Sequence, residues 1–154
     1  MTILLLALAI GVVAGLRAMT APAFVSWAAH LGLLDLSGSW LSFLATTPAR
    51  LILTVLALIE FVTDQLPSTP SRKVPVQFAA RIFTGGLSGA AIGAGSGMLP
   101  AGLCAGIIGA VIGTLVGASF RGSLAKKLGS DLPAAIIEDA LAIGGAILIG
   151  VALR

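Results

Sequence analysis

An uninterrupted apolar stretch opens the chain: Ile3-Leu4-Leu5-Leu6-Ala7-Leu8-Ala9-Ile10. Its side chains are apolar on every side, whereas a strand of a membrane barrel would alternate polar and apolar residues over about ten positions. In lipid, the backbone N–H and C=O groups of such a run must be satisfied within the segment, and only a helix does that. The stretch therefore predicts a helix inside a bilayer.

The composition extends this prediction to the whole chain. Of its 154 residues, 58% are hydrophobic and only 10% are charged, against roughly 25% charged residues in soluble domains. So few charges cannot cover a water-facing surface. A helical span needs about 20 apolar residues, so the length predicts one transmembrane domain over residues 1–154, without a separate soluble module.

Five apolar segments follow one another along the sequence. We predict an all-α, polytopic membrane protein with about five transmembrane helices, and a short interfacial helix at 40–45 before the second of them. Pro22 interrupts the first segment, and three prolines place a loop between the second and the third. The segments cover residues 3–29, 48–66, 76–97, 101–124 and 133–153.

Basic residues set the expected orientation, because the cytoplasmic loops of membrane proteins carry more Lys and Arg. On one side of the predicted protein, the basic residues are Arg50 and Arg154. Five spans then place the N-terminus in the cytoplasm and the C-terminus outside, whereas a four-span alternative would place Arg154 with the other cations. The side with the loops after the second and fourth segments holds Arg72, Lys73, Arg81, Arg121, Lys126 and Lys127.

Glycines recur at a spacing of four in the third and fourth segments. Residues four apart share a helix face, and a face without side chains lets another backbone approach closely in lipid. This predicts a glycine zipper, either within one chain, between subunits of a homo-oligomer, or at a pore or sliding surface. A dimer is the favoured oligomer, because twofold symmetry is the commonest. The glycines are Gly85, Gly89, Gly93, Gly97, Gly109, Gly113 and Gly117.

Seven of the ionisable residues within the predicted spans are candidate site residues. An ionisable group at bilayer depth costs ~2.5–3.5 kcal/mol even on lenient insertion scales, so such residues tend to be paired or functional. We expect Arg17, near the middle of its span, to pair with Glu60. Alternatively, charges near span ends extend to the interface, form structural ion pairs, or line a solute or proton pathway. The seven are Arg17, Glu60, Asp64, Arg81, Arg121, Glu138 and Asp139.

Two short matches indicate a weak inverted repeat. Gly15-Leu16-Arg17 matches Ser119-Phe120-Arg121, and Leu58-Ile59-Glu60 matches Ile136-Ile137-Glu138. One span separates the two pairs of segments, so the second pair would be inverted in the membrane, as in many transporters. The depths disagree, since an inverted copy of Glu60 would lie in the outer half of the bilayer.

Four groups of residues resemble a known family: Ala14-Gly15-Leu16-Arg17; Leu58-Ile59-Glu60 with Asp64 and Pro67; Ala80-Arg81 followed by Gly85-Gly86 and Gly89-Ala90; and Ile137-Glu138-Asp139-Ala140-Leu141-Ala142-Ile143. They are similar to segments of the bacterial membrane proteins grouped as domain of unknown function 4126. The resemblance covers nearly the whole chain and implies a small multi-span protein of the bacterial inner membrane. It supports six of the seven charged positions, all except Arg121, and implies no reaction, cofactor or catalytic residue.

The favoured function is a transporter or channel for an ion or small solute. Glu60 would bind a cation or proton, Arg17 would supply its counter-charge, and Glu138 would act nearer the cytoplasmic mouth. The alternative is a membrane scaffold or assembly factor whose buried ion pairs are structural. A lipid bilayer is the expected surrounding in either case.

We expect no enzyme, metal, cofactor or nucleic-acid partner. The single His30 and the single Cys104 form no serine–histidine, cysteine–histidine or metal-ligand arrangement in the sequence, and no basic run carries interleaved aromatic residues. A paired-aspartate mechanism would require Asp64 and Asp139 to meet.

Overall fold

The chain is helical through most of residues 1–65 and 74–154, which the computed structural model describes. Arg72 and Lys73, part of the predicted basic loop, lie outside the described residues. Within these residues there are six α-helices and no strand, which confirms the all-α prediction for this part of the chain. The elements are α1 (Thr2–Leu16), α2 (Thr20–His30), a 3₁₀ helix (Trp40–Ala45), α3 (Thr47–Thr63), α4 (Pro75–Ala94), α5 (Leu99–Leu128) and α6 (Asp131–Ala152).

The first predicted span, 3–29, is wrong as a single helix, because it consists of α1 and α2 with a break at residues 17–19. Arg17 has an extended backbone, with φ −140° and ψ 109°, which ends α1. Pro22 does not cause the break. It lies in the first turn of α2, where its missing N–H removes no intrahelical hydrogen bond.

Contacts with α6 give the direction of α1. Val13 lies against Gly145, while Arg17, one turn later in α1, hydrogen-bonds to Asp139, which comes earlier in α6. Because the order of contacts is reversed, α1 and α6 are antiparallel. The start of α1 therefore lies at the same end of the bundle as the end of α6.

The break reverses the chain. Phe24 in α2 lies against Gly150, farther along α6 than the contact made by Arg17, so α2 runs parallel to α6. Helices α1 and α2 thus form an antiparallel hairpin. We call the end of the bundle at residues 17–19 the tip end, and the opposite end, with Thr2 and Ala152, the open end. The predicted termini on opposite sides are therefore wrong, because the hairpin adds a reversal.

The predicted inverted repeat is also wrong. Gly11 lies against Gly106, and Gly15 lies against Gly113 and Thr114, so α1 and α5 run parallel to each other. An inverted copy of α1 would run antiparallel to it. The short sequence matches therefore do not reflect a symmetric architecture.

The centre of the bundle consists of α1, α4 and α5, which pack through bare backbone. A methyl group added at Gly89 would overlap the carbonyl oxygen of Gly102 in α5, and one added at Gly113 would overlap that of Val12 in α1. Such close approach of backbones favours helix association in lipid. Helix α5 therefore presents one row of glycines to α4 and another to α1.

The prediction that Gly97 belongs to a packing row of glycines is wrong. Helix α4 ends at Ala94, and Gly97 takes φ +70° in the following turn, with no atom near its missing side chain. Other helices of the same chain cover the glycine rows that the sequence offers for a subunit interface. Gly85, Gly89 and Gly93 lie against α5, Gly109 and Gly113 lie against α1, and Gly117 is buried.

Small residues make up most of the inside of the bundle, with a few larger ones such as Ile10 and Ile92, and many large apolar residues cover its outside. Alanines such as Ala14, Ala90 and Ala110 have no exposed surface. In a soluble protein the large apolar side chains would form the core instead. Those that are exposed on α3, α5 and α6 include Leu51, Ile52, Val55, Leu58, Ile59, Val62, Ile108, Val116, Ile136, Leu141, Ile147 and Leu148.

Two of the described helices, α5 and α6, are long and apolar enough to cross a membrane. Helix α1 is apolar but has only 15 residues, which at about 1.5 Å per residue is shorter than the ~30 Å of bilayer hydrocarbon. The described helices thus support two membrane-crossing segments, and the count of five stays a prediction.

We expect Gly106→Ala to destabilise the protein, because the added methyl group would overlap backbone atoms of Gly85 in α4. Overpacking costs about 1–3 kcal/mol, and more where a backbone must move. Gly122→Ala is the matched control, since no atom lies within 4 Å of its added methyl group. The free energy of unfolding, from denaturant titration in detergent, should fall only for Gly106→Ala. Equal losses for both variants would contradict this packing.

Candidate functional site

The break between α1 and α2 leaves backbone groups without partners in their own helices. The last C=O groups of a helix and its first N–H groups have no intrahelical partner, and an unpaired buried group costs about 1–3 kcal/mol. Both kinds of group occur here side by side, and Gly15, Arg17 and Ala18 are all buried. Charged side chains from α3 and α4 supply the missing partners.

Glu60, in the last turn of α3, binds the N–H groups of the two residues that directly precede α2. The N–H of Ala18 donates to Oε1 at 2.7 Å, and the N–H of Met19 donates to Oε2 at 2.8 Å. The carboxylate thus lies at the positive end of the α2 dipole, where an anion is stabilised. The predicted pairing of Glu60 with Arg17 is wrong, because the break exposes N–H groups that take both carboxylate oxygens.

Arg81, in the second turn of α4, binds the last C=O groups of α1. Its Nη1 donates to the carbonyl oxygens of Gly15 at 3.1 Å and Leu16 at 2.8 Å. The side chain is 2% exposed, so it does not extend to the interface as one alternative predicted. Its Nη2 lies 3.8 Å from Oε1 of Glu60. A cation therefore faces the negative end of α1, beside the anion that faces the positive end of α2.

Arg17, the residue at the break, lies between two aspartates from different helices. Its side chain has no exposed surface. Nε donates to Oδ1 of Asp139 in α6 at 2.5 Å, and Nη1 donates to Oδ2 of Asp64, which follows α3. The guanidinium carbon also lies 5.8 Å from the ring centroid of Phe61, within the range of a cation–π contact. Arg17 thus ties the hairpin tip to α3 and α6.

Asp64 and Asp139 therefore meet, as a paired-aspartate mechanism would require, but they meet around a guanidinium. In an aspartate dyad the two carboxyl groups share a proton, because like charges in one site repel each other. Here Arg17 binds both carboxylates, and Nη2 of Arg81 lies 3.7 Å from Oδ2 of Asp64, so two cations face the two carboxylates. The arrangement favours an ion-pair network over a proton-sharing dyad.

Arg121 extends the network to α5. Its Nε and Nη2 donate to the two carboxylate oxygens of Asp131 at 3.0 and 2.6 Å, and Nη2 also donates to the backbone oxygen of Asp64 at 2.9 Å. Nη1 lies 3.5 Å from Oε2 of Glu138, whose side chain has no exposed surface. Asp131 is not among the predicted site residues, although acidic residues favour the first turn of a helix and Asp131 begins α6.

All seven predicted charged residues lie in this charged network at the tip end, joined by Asp131. The carboxylates of the network outnumber its guanidinium groups, and the network connects the hairpin tip to α3, α4, α5 and α6. Among residues 1–65 and 74–154, no group of three or more His, Cys, Asp or Glu side chains is arranged to hold a metal ion. The members are Arg17, Glu60, Asp64, Arg81, Arg121, Asp131, Glu138 and Asp139.

Residues 4–152 match the family described as Domain of unknown function (DUF4126). This chain belongs to that family. The match confirms the resemblance predicted from the sequence and covers nearly all of the chain. No curated protein and no solved structure matches it. The description of the DUF4126 family names no activity, so a function has to be argued from the charged network itself.

In this DUF4126 protein, we expect Arg17→Gln to lower the free energy of unfolding by about 3–5 kcal/mol, because it removes a fully buried cation and leaves two partly buried carboxylates without it. Asp139→Asn in the same background should restore part of that loss, since the two residues are in direct contact. Denaturant titration of both single variants and the double variant gives the coupling energy. Lys126→Gln, at an exposed cation near the end of α5, is the control and should stay near wild type. Strictly additive effects would argue against a stabilising ion pair.

Proposed function

We propose that this chain is a polytopic protein of the bacterial inner membrane that transports a small ion or solute at the hairpin tip and its charged network. Placement in a bilayer is supported by the distribution of side-chain size. Alanine and glycine fill the centre, while large apolar side chains face outward on α3, α5 and α6. Such a surface is stable in contact with lipid and unstable in contact with water.

Four crossing helices and one re-entrant hairpin fit the described helices better than five spans. Contacts place α3, α4, α5 and α6 between the tip end and the open end, in alternating directions. Helices α1 and α2 have 15 and 11 residues, or about 22 and 16 Å at 1.5 Å per residue. Each is shorter than α3, whose 17 residues span about 26 Å, and the chain reverses between them, so the hairpin would enter from the open end and turn back inside the protein.

The cations favour a cytoplasmic location for the tip end. Arg121, Lys126 and Lys127 lie towards the tip end, while Arg50 and Arg154 lie towards the open end. The excess of Lys and Arg on cytoplasmic sides then orients the bundle. Because α1 begins at the open end, this orientation puts the N-terminus outside the cytoplasm, in place of the cytoplasmic N-terminus predicted from five spans.

The observation that carries the proposed transport is the non-helical backbone at residues 17–19 inside the bundle. At membrane depth, irregular backbone is tolerated where protein covers it or where it lines a cavity. Secondary transporters bind their ions and substrates at such interruptions, between the ends of short helices. Here ionisable side chains from four other helices surround the interruption, which is the chemistry expected of an ion-coupled site.

Glu60 would couple ion binding to movement of α2. Its hydrogen bonds to Ala18 and Met19 are charge-assisted, and such bonds are about twice as strong as neutral ones. A proton or a cation bound to Glu60 would reduce its negative charge and weaken its hold on α2. The hairpin tip could then shift and open the network to one side of the membrane.

A membrane scaffold or assembly factor is the second candidate, and a specific observation favours it. Arg17 and Arg81 are each bound by acidic groups or carbonyl oxygens within the chain. The glycine contacts of α1 with α5 are also too close for easy sliding. In that case the network would fix the hairpin and take no part in transport. A homo-oligomer would suit either role and stays a prediction.

Flux measurements test the proposed transport. The full chain is reconstituted into liposomes, gradients of H⁺, Na⁺, K⁺, Cl⁻ and a panel of small solutes are imposed in turn, and each is followed with a dye or radiolabel specific for that species. We expect the wild type to dissipate at least one gradient. We expect Glu60→Gln to change that rate by at least tenfold, because the amide keeps the shape of the side chain and loses its charge.

Asp35→Asn is the matched control for this experiment. Asp35 is an exposed carboxylate far from the network, and its described hydrogen bonds are to Ser37, so the flux should equal that of the wild type. Folding of each variant is checked by circular dichroism. If folded wild type gives no flux above protein-free liposomes for any gradient, transport is refuted and the scaffold remains.

A further inference from the structure

A groove on the outer surface of the bundle lies between α2, α3 and α6. It is a cavity of about 330 Å³, within the range of small-ligand sites. It runs along α2 for about 10 Å, from Thr20 near the tip end to Trp27 towards the open end. Its walls are almost entirely apolar and include Phe24, Trp27, Leu58, Phe61, Ile143 and Ile147.

The mouth of the groove at the open end carries a cation held in a defined position. The guanidinium carbon of Arg50 lies 4.6 Å from the ring centroid of Trp27. The indole Nε1 of Trp27 donates to Oγ1 of Thr54 at 3.0 Å, and that hydroxyl donates to the carbonyl oxygen of Arg50 at 2.7 Å. The two hydrogen bonds and the cation–π contact fix both side chains at the mouth.

This cation has no anionic partner within the described part of the chain. None of the described carboxylates forms an ion pair with Arg50, and its Nε and Nη1 are buried without a hydrogen-bond acceptor among these residues. Guanidinium groups bind phosphates well, because their N–H groups match the oxygen geometry. An arginine at the mouth of an apolar groove is therefore complementary to an amphiphile with a phosphate head.

We propose that this groove binds a glycerophospholipid, with its phosphate at Arg50 and one acyl chain lying along α2. The tryptophan supports this orientation, because Trp residues concentrate at the membrane–water interface, at the depth of lipid headgroups. The apolar walls give the acyl chain dispersion contacts, and they present almost no polar group that the acyl chain would leave without a hydrogen bond. The inference rests on the membrane placement in the proposed function and is independent of transport.

Quenching of Trp27 fluorescence by bromine tests this site. The full chain carries the Trp40→Phe substitution, which leaves Trp27 as the only tryptophan, and is titrated in mild detergent with phosphatidylglycerol bearing brominated acyl chains. We expect saturable quenching at one lipid per chain. Arg50→Gln should weaken the apparent affinity at least fivefold. Arg154→Gln, which removes an exposed cation at the same end of the bundle, should leave it unchanged.

Two further arms separate a built site from general contact with lipid. Brominated diacylglycerol has the same chains without the phosphate and should bind at least fivefold more weakly. Ala146→Phe fills the groove and should abolish saturable quenching, with Ala57→Phe as a second filling variant if the first does not fold. The binding assay reads lipid occupancy alone, so its result is distinguishable from the result of the flux assay.

Three results would overturn the lipid site. Equal loss of affinity for Arg50→Gln and Arg154→Gln would show a non-specific effect of charge. Equal quenching by diacylglycerol and phosphatidylglycerol would remove the role of the phosphate. If the quenching of Trp27 fluorescence fell as the protein concentration rose, and light scattering showed a dimer, the groove would be assigned to a second copy of the chain.

Discussion

Unsatisfied backbone groups inside an apolar bundle are the constraint on which the rest of this structure depends. The chain reverses at residues 17–19 where no water can reach most of its polar groups, so other helices must supply the partners. Glu60 accepts from the N–H groups just before α2, and Arg81 donates to the C=O groups that end α1. Helices α3 and α4 are thereby held against the hairpin by opposite charges at its two helix ends.

The bare faces of the central helices bring these charges within reach of one another. Because α1, α4 and α5 pack backbone against backbone, the break lies next to α5, and the hydroxyl of Thr114 approaches the carbonyl oxygen of Gly15 at 3.4 Å. Side chains at Gly85 or Gly113 would push the helices apart and lengthen the contacts of Arg81 and Arg121. Packing and electrostatics are therefore coupled, since the network needs a separation that only small residues allow.

Most of the helices and most of the charged residues of the network could be predicted from the sequence. Which of these residues contact one another could not. Long apolar runs predict α3 to α6 to within a few residues, and the cost of charge in lipid singles out seven members of the network. The break carries no such signal, because Gly15-Leu16-Arg17-Ala18-Met19 contains no proline and the nearby Pro22 is compatible with a helix start. Without the break, the partners of Glu60 and the reversal of α1 and α2 cannot be foreseen.

The central position of α1 has a consequence for how the protein is made. The hairpin is synthesised before α3 to α6, yet Arg17 binds Asp139, which lies 122 positions later. Until α5 emerges, the glycine face of α1 lacks its native partner, and until α6 emerges, Arg17 has only one of its two carboxylates, that of Asp64. The hairpin therefore stays without part of its ion-pair network until α6 has been translated, and α6 then closes the ion pairs around Arg17.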